Sequence, residues 1–353
     1  MKKQNSVGQE TGNLNRRSFL KLSGLLGAGL ATGVMVPLTA EAIKFNKRMY
    51  KVSRTRLSMG TFVSMTLVDP SRDNAEEAMG LAFNEIDRLN GLMNRFQSAT
   101  AVGELNREGV LASPPPEVLA VVKDALSFYR VSNGAFDISV APIVDLFKER
   151  LGNNGKTPPT ESEIRTLLTS VGADSIVIQG KSIRFTKPGM AVTLDGIAKG
   201  YIVDRAADVL AKRNISNFLI NAGGDIRTSG ERQDRKPWTI AIQDPHKKKH
   251  YPDIITMRDG AIATSGNYEV YFDREKMFHH IVNPRTGLSP HADSSVSVKA
   301  PTTMEADALS TTVFVMNPKE GIRFINSLPR YECLVLSTKG AINRSRGWKS
   351  TAI

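Results

Sequence analysis

Strand-like and helix-like segments follow one another along this 353-residue chain without a regular rhythm. "TFVSMTLV" (61–68) alternates and is rich in β-branched residues, the pattern of a half-buried strand. Residues 74–93 place apolar side chains at helical spacing, and 115–134 opens on prolines and closes on a glycine, as helices do. "MAVTL" (190–194) reads as a strand leading into a helix over 196–214. "NFLINAGGD" (217–225) reads as a strand running into a glycine turn, and 302–316 as a helix with Thr at its start. No strand–helix–strand repeat emerges, so a regularly wound parallel sheet is excluded. The pattern predicts an α+β fold with two lobes of one continuous domain.

The N-terminus reads differently. Arg16-Arg17 precede Ser18-Phe19-Leu20-Lys21, a Gly/Ala-rich apolar stretch follows, and Ala40-Glu41-Ala42 fits a cleavage site. This resembles a twin-arginine export signal over 1–42, leaving 43–353 as the working domain and the periplasm as its location. The apolar run is short and glycine-rich, which disfavours a membrane span. No cysteine follows it, so no lipid anchor is indicated. The only cysteine, Cys333, lies in strand-like "YECLVLS" and is expected in the core.

Net charge is +12, and the first 42 residues hold five basic and two acidic side chains, a surplus of three that leaves +9 for the rest. Such a surface suits an anionic substrate. Without an arginine-rich run or aromatic residues among basic ones, it does not call for nucleic acid.

Four glycine-bearing stretches are candidates for a ligand cleft: "GAFDISVAP" (134–142), "LDGIAKGY" (194–201), "NAGGDIR" (221–227) and "AIATSGNYE" (261–269). Glycine lets backbone approach a ligand, and exposed N–H groups cradle phosphate. None is a dinucleotide fingerprint or a Walker A loop. In "EADALSTT" the Asp307 and Thr311 side chains share a helix face, with Ser310 beside them. Those oxygens suit Mg²⁺; the alternative is a helix carrying a buried, capped Asp. All five histidines fall between His246 and His291, and His279-His280 stand just two residues before Asn-Pro-Arg-Thr-Gly. In a strand only one of the pair faces a given pocket. A general base is the sharper reading of that one, and a polar core or surface residue the alternative. No zinc-ligand spacing accompanies them.

Taken in order, "MGT", "GAFD", "DGIAKGYIVD", "NAGGD", "ATSGNYE", "HHIVNPRTG" and "ADALSTT" resemble the ApbE family of FAD:protein FMN transferases. The resemblance implies an ApbE-like fold with mixed or antiparallel sheets, flanking helices and FAD in the cleft. It implies Mg²⁺-dependent transfer of FMN from FAD to a Thr or Ser hydroxyl of a target protein, with AMP leaving. The alternatives are FAD hydrolysis, or flavin delivery without covalent transfer. Carried over, Met59, Phe96, Ala135, Phe136, Asp137, Asp195, Lys199 and Ile281 would contact FAD. Gly196 (through its carbonyl), Asp307, Ser310 and Thr311 would hold the metal, and His280 would be the base. One branch of the family carries twin-arginine signals and serves nitrous-oxide reductase by flavinylating a membrane-bound redox protein, so that kind of target is implied. Asp195 stands two residues beyond the position where relatives carry an acid, and on one strand the two positions would share a face. Phe96 stands where many relatives have Tyr.

Replacing Arg16 and Arg17 by Lys is expected to leave uncleaved precursor in the cytoplasm. Fractionation with immunoblotting tests this, and normal periplasmic delivery of the variant would exclude the twin-arginine route.

Overall fold

The protein is described by a computed structural model covering residues 41–44, 48–151, 157–245, 251–266, 281–290, 294–337 and 340–351. Residues 1–40 of the 1–42 segment expected to be an export signal, and all five histidines, His279 and His280 included, lie outside the described residues. The chain opens with β1 (Glu41–Lys44), β2 (Tyr50–Ser58) and β3 (Thr61–Asp69), then α1 (Arg72–Met93), α2 (Ala101–Glu108) and β4 (Val110–Leu111). Next come α3 (Pro116–Val131), α4 (Ala141–Leu151), α5 (Glu161–Leu168), β5 (Ile176–Gln179), β6 (Ser182–Phe185) and α6 (Ala198–Lys212). Strands β7 (Phe218–Ala222), β8 (Asp225–Ser229), β9 (Trp238–Ile242), β10 (Asp253–Met257), β11 (Gly260–Gly266) and β12 (Ser294–Ala300) follow. The described chain closes with α7 (Thr303–Val315), α8 (Pro318–Ser327), β13 (Glu332–Ser337) and β14 (Ile342–Arg344). No described helix is long and apolar enough to cross a membrane.

Among the described residues the main sheet has nine strands in the order β1-β2-β3-β7-β8-β11-β12-β13-β14, every neighbour antiparallel. Period-2 alternation sorts its side chains to two faces. Val63, Met65 and Leu67 of β3, with Phe218 and Ile220 of β7, meet α1 and α6 in the largest core. Val68, Leu219, Ile226, Ile262 and Leu334 point the other way and are covered by Trp238, Ile240, Ile255 and Met257 of the β9–β10 ribbon. The three-stranded β4-β6-β5 sheet adds Leu111, Ile176 and Ile183 to the largest core, while α4 and α5 pack in a separate small cluster around Ile143, Phe147 and Ile164.

"MAVTL" does not form the strand its composition predicts. Residues 190–194 join no ladder. Instead the Asn106 amide clamps Val192, its Oδ1 accepting from the Val192 N–H (2.7 Å) and its Nδ2 donating to the Val192 carbonyl (2.9 Å). Thr193 N–H donates to Ile138 O at 2.8 Å. One asparagine and one carbonyl meet the hydrogen-bonding demand that a neighbouring strand would otherwise meet.

Helices α6 and α7 hold each other by their ends. The residue preceding α6, Ile197, has no capping side chain. The first-turn Gly200 N–H donates instead to Asp307 Oδ2 of α7 at 3.0 Å. The N-terminus of α7 has its own capping box, Thr302 with Glu305. It is capped again by Asp204 of α6, whose two oxygens each accept a backbone N–H, from Thr303 and Met304, at 2.9 Å. Orphan donors at both helix starts are thereby satisfied by carboxylates, which also sit favourably in the helix dipoles. Gly200 makes the close crossing possible: a Cβ there would lie 2.4 Å from Thr303 O and 2.8 Å from Met304 Cα.

Gly200→Ala should therefore destabilise the protein, although Ala is the better helix former. Overpacking two backbones sets the loss at about 1–3 kcal/mol. The urea midpoint measures it, and a midpoint equal to or above wild type would refute the close crossing.

Candidate active site

Six separated segments converge on one cleft, one of them contributing Asp225 of β8. The α3–α4 connection supplies Ala135, Phe136 and Asp137; the turn entering α6 supplies Asp195, Gly196 and Lys199. Thr264 and Ser265 come from β11, Ile281 and Val282 from the segment before Asn283, and Asp307 and Thr311 from α7. The sequence-derived candidates Ala135, Phe136, Asp137, Asp195, Gly196, Lys199, Ile281, Asp307 and Thr311 are thus brought together.

The oxygen-rich side of the cleft is built from α7 and β11. Asp307 is buried, as a cap should be, yet it also lines the cleft. Ser265 Oγ shares hydrogen bonds with Ser310 Oγ (2.8 Å) and Thr311 Oγ1 (3.3 Å). Ser310 Oγ also donates to Asp307 O at 2.9 Å and sits behind the lining. Gly196 lies against this group, and a Cβ there would come within 3.1 Å of Thr311 Oγ1. Among the described residues no cluster of three or more acid, His or Cys side chains could hold a metal. A cation here would depend on the Asp307 carboxylate with hydroxyl and carbonyl oxygens, a hard donor set that fits Mg²⁺.

Across the cleft, Lys199 Nζ stands 3.4 Å from Asp225 Oδ2. Asp225 is 2% exposed, and burial pushes its carboxyl above the usual range while Lys199 opposes the shift. Asp137 is also raised by burial, against hydrogen bonds that hold it down. Its Oδ1 accepts from Ser139 N–H (2.8 Å) and Ser139 Oγ (2.6 Å), and its Oδ2 from Ala173 N–H (3.2 Å). Asp137 thus shapes the wall that it also lines.

Met59 and Phe96 lie elsewhere. Met59 sits in the β2–β3 turn with φ 52° beside Gly60 at 70°, a two-residue hairpin that usually takes Asn-Gly, and it packs on the main core. Phe96 is exposed outside the lining, its ring between Arg95 and Lys148, each cation 4.4 Å from the ring centre. Asp195 reaches the cleft from a turn, so the shared strand face with Thr193 does not exist. Its carboxylate lies 3.9 Å from Arg95 Nε, and Arg95 is held bidentately by Asp145. His280 lies outside the described residues, but the corner after it is tightly tied. Asn283 O accepts from Gly287 N–H (2.8 Å), Asn283 Oδ1 from Arg285 N–H (2.9 Å), and Arg285 donates to Asn133 O (2.7 Å).

Sequence reasoning passed over Asn106, Asp204 and Asp225. Asp204 and Asp225 lie in motifs quoted above ("GYIVD", "NAGGD"), but the role of each of the three depends on a partner at least 26 positions away.

The ApbE family model matches residues 59–335. An FAD:protein FMN transferase of Vibrio cholerae is 33% identical over 249 residues, covering 67% of this chain and 74% of its own. The Haemophilus influenzae protein of that name is 28% identical over 335 residues, covering 90% of this chain and 96% of its own. Among solved structures, the ApbE protein of Thermotoga maritima aligns with a TM-score of 0.76 at 28% identity, covering 84% of this chain and 97% of its own.

If Asp307 caps α6, Asp307→Ala should cost about 1–2 kcal/mol, the usual value of a lost cap. Asp307→Asn keeps an acceptor oxygen and should cost clearly less. Equal losses in chemical denaturation would show that Asp307 does not act as this cap.

Proposed function

Because the chain belongs to the ApbE family, we propose that it transfers FMN from FAD to a hydroxyl of another protein and releases AMP. The observation that carries this reading is the single cleft in which Phe136, Lys199, Ile281, Asp307 and Thr311 meet, although they come from segments spread over about half the chain.

Ala135, Phe136 and Ile281 offer the flavin an apolar wall, and Lys199 offers the pyrophosphate an ammonium. In the transfer, the acceptor oxygen bonds to the phosphorus on the FMN side. The bond from that phosphorus to the bridging oxygen breaks, and the oxygen leaves with AMP. The hydroxyl proton goes to a base, for which His280 is the candidate. Asp307, Thr311 and the Gly196 carbonyl would hold Mg²⁺, which when bound would neutralise pyrophosphate charge. The hydrogen bonds of Thr311 and Ser265 orient those oxygens beforehand, so little reorganisation is needed.

The twin-arginine pattern and the absence of a lipidation cysteine support export to the periplasm as a folded protein. They also support a membrane-bound redox protein as the acceptor.

Purified protein with FAD and Mg²⁺ is expected to release AMP, and a co-expressed acceptor to become fluorescent in denaturing gels. Asp307→Ala should abolish AMP release, and His280→Ala should stop attachment while FAD still binds. AMP release without labelling of any acceptor would favour FAD hydrolysis. Full activity in excess chelator would remove Mg²⁺ from the mechanism.

A further inference from the structure

Strand β8 begins at Asp225, directly after the Gly223-Gly224 turn, where Ala222 and Asp225 form the closing pair of the β7–β8 hairpin. The turn is rigid: Gly223 and Gly224 have φ of 65° and 104°, and Gly224 N–H donates to Asn221 Oδ1 at 2.9 Å. A Cβ on Gly223 would lie 2.4 Å from Thr61 Oγ1, so the turn is also pressed onto the start of β3. Asp225 is thereby delivered to the cleft wall from a frame with little freedom.

Its chemistry is unlike that of Asp137 and Asp204, the two other acids near the cleft that burial raises. Asp137 and Asp204 spend their oxygens on backbone N–H groups. Among the described residues Asp225 Oδ2 is buried and accepts no backbone N–H; it faces the Lys199 ammonium at 3.4 Å. Desolvating a carboxylate for such a pair adds little net stability, because the cost of burial offsets the attraction. An apolar residue would serve the fold as well. Lys199, in the first turn of α6, keeps part of its side chain exposed in the cleft.

We propose that Asp225 is a positioning residue that holds the Lys199 ammonium on the line of approach of the FAD pyrophosphate. This rests on the transfer reading above. The pair splits the work: Asp225 never meets the substrate, and Lys199 is presented in one place instead of sweeping the cleft. A second pair lies beside it, Asp204 of α6 with Arg227 two residues along β8, at 3.9 Å. Arg227 also donates to the Pro301 carbonyl, just before α7. Helix α6 is therefore registered on β8 at two points, one facing the cleft and one facing the start of α7.

The test is a double-mutant cycle on the full chain with Asp225→Asn, Lys199→Met and the double variant. FAD affinity is read by flavin fluorescence and AMP release at saturating FAD by chromatography. Asp225→Asn should lower AMP release by about ten- to a hundredfold, the scale of lost positioning, while FAD affinity stays within about threefold. The double variant should match Lys199→Met, since residues acting through one another are not additive. Losses that multiply, or parallel losses of affinity and turnover in Asp225→Asn, would overturn the proposal.

A second measurement needs no substrate. In Lys199→Met the buried Asp225 carboxyl loses its cation, and among the described residues Asp204, itself paired with Arg227, is the charge left acting on it. Its folded-state pKa then lies further above the unfolded value of about 4. Stability present at low pH is lost as pH rises through the folded-state value. Thermal melts of Lys199→Met should show this decline relative to wild type, and the double variant should not. A flat difference would refute the pairing itself. Wild-type protein that releases no AMP would instead overturn the transfer reading, whichever way the melts fall.

Discussion

The hydrogen bond from Gly200 N–H to Asp307 Oδ2 is the contact on which the site depends. It needs a bare Cα on α6, because any side chain there would enter the Thr303 backbone. It needs a carboxylate on α7 because the start of α6 has no cap of its own. Asp204 returns the favour at the start of α7. Two helices far apart in sequence are thus locked in register, and Lys199, Asp307 and Thr311 inherit their positions from that lock. The structural and chemical readings of Asp307 are therefore compatible. A capped, buried carboxylate on a rigid helix is preorganised for whatever it binds.

Burial raises three acids near the cleft, Asp137, Asp204 and Asp225, but they meet its cost in different ways. Asp137 gives its oxygens to Ser139 and Ala173 and so shapes a wall. Asp204 gives its oxygens to the first N–H groups of α7 and so sets a helix. Asp225 turns its buried Oδ2 to a neighbouring ammonium. Hydrogen-bonded carboxylates explain themselves as architecture. A carboxylate facing a lysine in a ligand cleft is better explained by what the lysine does.

Much of this was legible in the chain. Helical spacing located α1, α3, α6 and α7 to within a few residues, since a 3.6-residue period depends only on which side chains must be buried. The ordered glycine motifs named the family, and most residues chosen from them line one cleft. "MAVTL" shows the limit. Its composition is that of a strand, yet Asn106 took the hydrogen bonds of Val192, and no ladder formed. Asp195 consequently arrives from a turn.

Local pattern by itself determined where the long helices α1, α3, α6 and α7 and the strands β3 and β7 lie, and which motifs name the family. Each of those follows from neighbours a few positions apart. Only the tertiary structure decided the antiparallel order of the main sheet, the reciprocal capping of α6 and α7, and the pairing of Lys199 with Asp225. The reason is physical. A buried polar group takes whichever partner the fold brings within about 3 Å, and for Asn106, Asp204 and Asp225 that partner lies on a different segment of the chain.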